Sequence, residues 1–190
     1  MSNSKSILLV GVGGQGTILA SKLLTIGLMQ AGYDVKMSEI HGMSQRGGNV
    51  SSQIRYGEKV YSPVIEIGGA DIVIAFERLE ALRNLEYLKQ EGTVVVNDYR
   101  IDPMSVLGGA ATYPDGVIET LQSKAKTVVI HASDMAEQLG NGKVMNIIML
   151  GSIAKNMNLG GIDWKTIIAE NVKPQFVELN QKAFALGFES

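Results

Sequence analysis

The sequence predicts an α/β protein: a Rossmann-like, three-layer α/β/α domain over residues 1–190, with a mostly parallel sheet, an antiparallel hairpin insertion and a helical C-terminal third. Three observations carry this expectation. An apolar run at residues 7–10 ends in the turn Gly11-Val12-Gly13-Gly14-Gln15-Gly16 and leads into a helical pattern. Short apolar runs then alternate with amphipathic stretches, the rhythm of a doubly wound sheet. Residues 143–157 carry apolar positions around most of a helical circumference, which marks a buried helix.

The elements follow in order. Residues 7–10 form the first strand. Gly11 permits the tight turn, Gly13 lets backbone approach a ligand, and Gly16 lets helix and strand pack closely. A helix covers 17–31, with Ile18, Leu19, Leu23 and Ile26 at roughly helical spacing and Gly32 as its C′ residue. A strand over 34–38 completes a βαβ start, so a parallel pair with a right-handed crossover is expected. Residues 40–48 have neither period and read as a loop. Val50, Ser52, Ile54 and Tyr56 then alternate with Ser51, Gln53 and Arg55, which marks a strand. A turn at 57–59 lets residues 60–65 pair back as a hairpin.

Residues 71–76 are a buried strand. An amphipathic helix is expected over 77–90, with Leu79, Leu82, Leu85 and Leu88 inward, Glu77 and Glu80 in its first turn and Gly92 closing it. Strands follow at 93–97 and 127–130, with a minor strand at 110–113 and a short helix capped by Asp115 running to 123. Asp163 caps a helix through 169, and Pro174 opens a last helix ending near 187.

Composition narrows the function. Hydrophobic residues make up 45% and charged residues 19%, as in an ordinary globular chain. A net charge of -2 points away from nucleic acid and from an anionic membrane. The apolar stretch near the N-terminus breaks into glycines too early for a signal peptide, and no run reaches a membrane span of roughly 18 residues. A cytoplasmic protein is expected. There is no cysteine, which excludes disulfides, thiolate catalysis and the usual ligands of iron–sulfur clusters. The two histidines, His41 and His131, have no zinc-like spacing. No catalytic residue and no metal ligand is assigned.

The glycine turn, with its helix N-terminus, suits an anion; the glycines alternatively serve close packing alone. Glu39 follows Gly16 by 23 residues, near where a Rossmann acid meets a ribose hydroxyl, or it is a solvated strand-end charge. Arg46 beside Gly47 and Gly48 puts a fixed cation next to open backbone and suits a carboxylate or phosphate, or forms a surface salt bridge. His41 is a general acid or base near neutral pH, or it satisfies backbone groups or an interface. In a doubly wound sheet the first two strands end on one edge, so the glycine turn and the 40–48 loop should be neighbours there. His131 before Ser133-Asp134, and Asn97-Asp98, also end strands; turn and cap chemistry explains both.

Two segments together carry a family resemblance. Gly11-Val12-Gly13-Gly14-Gln15-Gly16, followed by Ile18-Leu19-Ala20, resembles the opening of the gamma-type domain of 2-oxoacid:ferredoxin oxidoreductases. Glu39-Ile40-His41-Gly42-Met43-Ser44-Gln45-Arg46-Gly47-Gly48-Asn49-Val50 is similar to that family's second signature, in wording most like its indolepyruvate branch. The resemblance implies oxidative decarboxylation of a 2-oxoacid on thiamine diphosphate, with electrons passing through iron–sulfur clusters to ferredoxin and the acyl group passing to coenzyme A. This chain has no cysteines and no Gly-Asp-Gly followed by Asn-Asn. Thiamine diphosphate and the clusters are therefore implied on a large partner subunit, with this chain inactive alone and a candidate homodimer when isolated. The resemblance makes Gly11, Gly13, Gly14, Gln15, Gly16, Arg46, Gly47 and Gly48 candidates for coenzyme A or for packing on the partner. Two rivals remain: a self-sufficient NAD(P)-binding oxidoreductase using the turn with Glu39, and a purely structural subunit.

Overall fold

The computed structural model describes residues 4–41 and 48–190 of the chain. Six strands form one sheet: β1 (Lys5–Val12), β2 (Asp34–His41), β3 (Asn49–Gly57), β4 (Ala70–Ala75), β5 (Leu88–Asn97) and β6 (Lys126–Ile130). Their spatial order is β2-β3-β1-β4-β5-β6. From β1 outward through β4, β5 and β6 the pairing is parallel, while β3 runs antiparallel to both β1 and β2.

Helices cover both faces. On one side lie α1 (Thr17–Gln30), α5 (Ala132–Gln138), α6 (Met145–Asn156), α7 (Trp164–Asn171) and α8 (Val177–Glu189). They bury Ile7, Leu9, Ile54, Ile72, Ile74 and Val95 of the sheet. On the other side α2 (Arg78–Arg83) and α4 (Val117–Lys124) pack on Leu8, Val10, Val73, Ala75, Val94 and Val96, and a short α3 (Met104–Leu107) stands at the edge. The alternation of β1 between these two sets is the period-two signature of a strand buried on both faces. As expected, α6 is buried all round, with Met145 through Ala154 inaccessible or nearly so. Asp163 caps α7, its carboxylate accepting from Thr166 N at 3.2 Å. Gly32 ends α1 with φ +88.

Several expectations fail, each for a tertiary reason. β1 and β2 share a direction but are not neighbours, because β3 inserts between them. The antiparallel hairpin is therefore β2–β3, and residues 60–65 form no strand. Both backbone edges of β3 are already taken, so side chains hold that segment instead. Gln53 Oε1 accepts from Ile65 N at 2.7 Å, Asp34 Oδ2 accepts from Val60 N at 2.9 Å, and Arg55 donates to the Ser62 carbonyl at 3.3 Å. The 77–90 helix ends at Arg83, a 3-10 turn covers Leu85–Tyr87, and β5 begins at Leu88, where it pairs with Ala70. Strand pairing wins there over apolar spacing, and Gly92 lies inside β5 rather than closing a helix. Residues 110–113 form no strand: the N–H groups of Ala110 and Ala111 donate to Ser105 O, and Tyr113 Oη donates to Glu77. Asp115 is not the cap of α4; Gly116 is, at φ +63.

Tyr56 on β3 is 5% exposed and meets Tyr33 edge-on at 5.1 Å. Burial, then the neighbouring Tyr33 and Asp71, push its phenol from near 10 up to about 12. An acid raised on folding leaves stability intact below its unfolded pKa and removes it as pH rises through the folded one. Between pH 10 and 12 the unfolded chain ionises at this position while the folded chain does not. Denaturant titrations should therefore show stability falling across that window, with a shallower fall in Tyr56→Phe. An unchanged slope in the variant would contradict this origin.

Candidate functional site

The C-terminal ends of β1, β4, β5 and β6 open on one edge, where loops and helix starts meet. There a cleft of about 650 Å³ is lined by Gly13, Gly14, Gln15 and Gly16, by Tyr99 and Ile101 after β5, by Ser133 and Glu137 of α5, and by Gly142, Lys143, Met145 and Asn146 at the start of α6.

The glycine turn is held from below. Gln15 Oε1 accepts from Val12 N at 2.8 Å, and Gln15 Nε2 donates to the Phe76 carbonyl at 2.8 Å. Asn97, fully buried, donates to the same carbonyl at 3.2 Å and to Ser133 Oγ at 3.0 Å. One carbonyl thus ties the turn to the ends of β4 and β5 and to the start of α5. Both ends of the Gln15 amide point into the scaffold, so Gln15 shapes the turn rather than offering its head to a ligand.

The turn's remaining donors are open. Gly13 N donates to Gly48 O at 2.9 Å and Gln15 N to Val12 O at 3.2 Å. Among the described residues the N–H groups of Gly14, Gly16, Thr17 and Ile18 have no acceptor. Gly16 is the N-cap of α1, at φ +78, and brings no capping side chain. Such a helix start carries a partial positive charge and donors for an oxyanion. Gly14, at φ +104, has nothing within 4 Å of where a Cβ would lie, so its backbone is open to a ligand. Lys143 is exposed and adds a cation to the lining; Glu137 adds a carboxylate.

The wall of the cleft is anchored by a buried acid. Glu77, 1% exposed, accepts from Glu80 N at 2.9 Å, Ile101 N at 3.3 Å and Tyr113 Oη at 2.5 Å. Burial, then this bond to Glu77, raises the Tyr113 phenol well above its usual range. Burial likewise raises Glu80, against the pull of Arg83. Asp98 pairs with Arg78 and faces His131 Nδ1 at 3.7 Å, outside the cleft lining.

Of the residues singled out from sequence, the structure brings Gly13, Gly14, Gln15 and Gly16 into the cleft and seats Gly48 against Gly13. Of the expected meeting of the turn with the 40–48 loop, the described residues show this Gly48 contact alone. Gly11 is buried, and a Cβ there would meet Phe76 Cβ at 3.0 Å and Thr17 Cγ2 at 3.1 Å, so it serves packing. Glu39 lies inside β2 rather than beyond it, accepts from Ser21 Oγ at 3.2 Å, and does not line the cleft. His41 is the last residue of β2, in register with Val50. Arg46 and Gly47 lie outside the described residues. Sequence reading missed Tyr99, Lys143 and Asn146. The available signal was Asn146, an amide in the first turn of a largely apolar helix, preceded by the polar turn Asn141-Gly142-Lys143.

Comparison with known proteins agrees with this architecture. The family described as pyruvate ferredoxin/flavodoxin oxidoreductase matches residues 6–190. The indolepyruvate oxidoreductase subunit IorB of Pyrococcus horikoshii is 36% identical over 192 residues, covering 97% of this chain and 95% of that protein. The subunit of the same name from Archaeoglobus fulgidus is 38% identical over 188 residues, 96% of this chain and 93% of that protein. The crystal structure of a keto/oxoacid ferredoxin oxidoreductase gamma subunit from Geobacter sulfurreducens superposes with a TM-score of 0.70 at 25% identity, covering 97% of this chain and 96% of that one. A glycine turn at a sheet edge, a β2–β3 hairpin beside it and a match along nearly the whole sequence lead to one assignment: the chain belongs to the pyruvate ferredoxin/flavodoxin oxidoreductase family.

Proposed function

We propose that this chain is the small, gamma-type subunit of a 2-oxoacid:ferredoxin oxidoreductase of the indolepyruvate kind, acting in the cytoplasm beside a larger subunit. The observation that carries the proposal is 36% identity to an indolepyruvate oxidoreductase subunit in an alignment covering 97% of the chain. The chain has no cysteine, so thiolate ligands for iron–sulfur clusters must come from the partner. Thiamine diphosphate belongs there too, and ferredoxin receives the electrons of the assembled complex. The mixture of this chain with its large subunit should oxidise an aryl 2-oxoacid with reduction of ferredoxin, while either chain alone should not. Full turnover by this chain alone would sink the proposal.

Within the complex, the cleft is this chain's contribution. The unbonded N–H groups of Gly14 and Gly16, with Lys143 in the same lining, fit a phosphate of coenzyme A. Coenzyme A supplies the thiol that accepts the acyl group; this chain's residues hold and orient its anionic part. Tyr99, half exposed in the same lining, offers a ring face. The dinucleotide reading is weaker, because Glu39 is engaged by Ser21 away from the cleft lining.

A further inference from the structure

We infer that Asn146 is a positioning residue of the glycine cleft: its side-chain amide locks the start of α6 onto the start of α1, so that Lys143 and the open N–H groups of the turn converge on one anionic group. The inference rests on the cleft reading above and adds the residue that sets the cleft's geometry.

Asn146 sits in the first turn of α6 and is 5% exposed, in a helix whose other buried positions are almost all apolar. Its Nδ2 donates to Gly16 O at 3.1 Å, across 130 residues of chain. That carbonyl already accepts from Leu19 N at 3.1 Å and Ala20 N at 3.3 Å. The extra bond is therefore not needed to satisfy a buried acceptor; what it adds is a fixed spacing between two helix starts. Among the described residues no other side-chain hydrogen bond joins these two starts. The fit is tight: a Cβ on Gly16 would lie 3.0 Å from Asn146 Cγ, so the amide occupies the space the missing side chain leaves. Lys143 lies one turn earlier, in the 3-10 turn Gly142–Val144, whose first N–H groups are organised by Asn141 Oδ1 accepting from Lys143 N at 3.0 Å. Fixing Asn146 thus fixes the base of Lys143, which has no ion-pair partner among the described residues.

A mere clamp and an anion-positioning residue respond differently to charge. Asp at this position loses the same donor as Ala. The Asp carboxylate is also buried and set against the Gly16 carbonyl oxygen, so Asn146→Asp should melt lower than Asn146→Ala, and the salt dependence of affinity separates the two roles. Beside a bound phosphate, the same carboxylate repels. The test is calorimetric titration of coenzyme A onto the assembled complex, at low and high salt, alongside thermal melting of each variant. Expected is a loss of affinity of about fivefold for Asn146→Ala, the size of one hydrogen bond. For Asn146→Asp the loss should reach roughly fiftyfold at low ionic strength and shrink toward the Ala value at about 0.5 M salt. Wild-type affinity in both variants would overturn the inference and leave the cleft reading standing. A difference between the two variants that does not change with salt would reduce Asn146 to a clamp and overturn the convergence on an anion. Unchanged coenzyme A affinity in Lys143→Gln and Gly16→Ala would overturn the cleft reading itself.

Discussion

Gly187→Ala should destabilise this protein by at least about 3 kcal/mol, the severe end of overpacking. A Cβ on Gly187 of α8 would lie 2.6 Å from the Ile148 carbonyl carbon and 2.9 Å from Ile148 Cα, both backbone atoms of α6. The crossing is tight from the other side too: a Cβ on Gly151 would lie 2.7 Å from Phe188 N. Backbone cannot step aside as a flexible side chain can, so α6 and α8 must separate. α6 is buried along most of its length, and its separation would open the core beneath β1 and β4. In thermal unfolding the expected loss is about 10 °C for a chain of this size. A melting temperature within about 2 °C of wild type would mean that the two helices slide apart without loss of packing. The change has a functional reach as well, because α6 carries Asn146 into the cleft.

Gly16→Ala should damage the site more than the fold. The residue sits at φ +78, where a side chain costs about 1–2 kcal/mol, and its new methyl group would press on the Asn146 amide, 3.0 Å from Cγ. The Asn146–Gly16 bond breaks and the α1 N-terminus turns away from Lys143. The affinity of the assembled complex for coenzyme A should fall about tenfold or more, equivalent to at least about 1.4 kcal/mol. Gly32→Ala is the control. It has comparable backbone strain at φ +88 but nothing within 4 Å of the added methyl group, and it lies at the far end of α1. Its stability should drop by a similar amount while coenzyme A affinity holds. Equal affinity loss in both variants would show that the effect travels through general destabilisation rather than through the cleft.

Wherever a single element's own residues carry the information, the fold was legible in the chain. The span of α1 agrees within a residue because Gly16 and Gly32 bracket an uninterrupted helical run. The burial of α6 was readable from apolar residues on every face, and the Asp163 cap from one carboxylate ahead of Trp164. Misreadings fell where a choice depended on which backbone edge was free. The 77–90 stretch has good helical spacing at Leu79, Leu82, Leu85 and Leu88, yet Leu88 pairs with Ala70 and begins β5. Residues 60–65, after a turn, read as the returning arm of a hairpin, yet β3 had no edge left for them.

The site divides in the same way. Gly14 and Gly16 announce themselves because their positive φ angles suit glycine, and that requirement is local. Lys143 and Asn146 could not be found by spacing, since they reach the turn only after the chain has built five more strands and folded α6 across them. Periodicity, cap chemistry and the lack of cysteine are properties of neighbouring residues or of composition, so they were settled before folding. Strand order, the insertion of β3 and the meeting of two helix starts at one cleft depend on long-range hydrogen bonding and packing. Those alternatives look alike in any local window, and the contacts that separate them exist only in the folded chain.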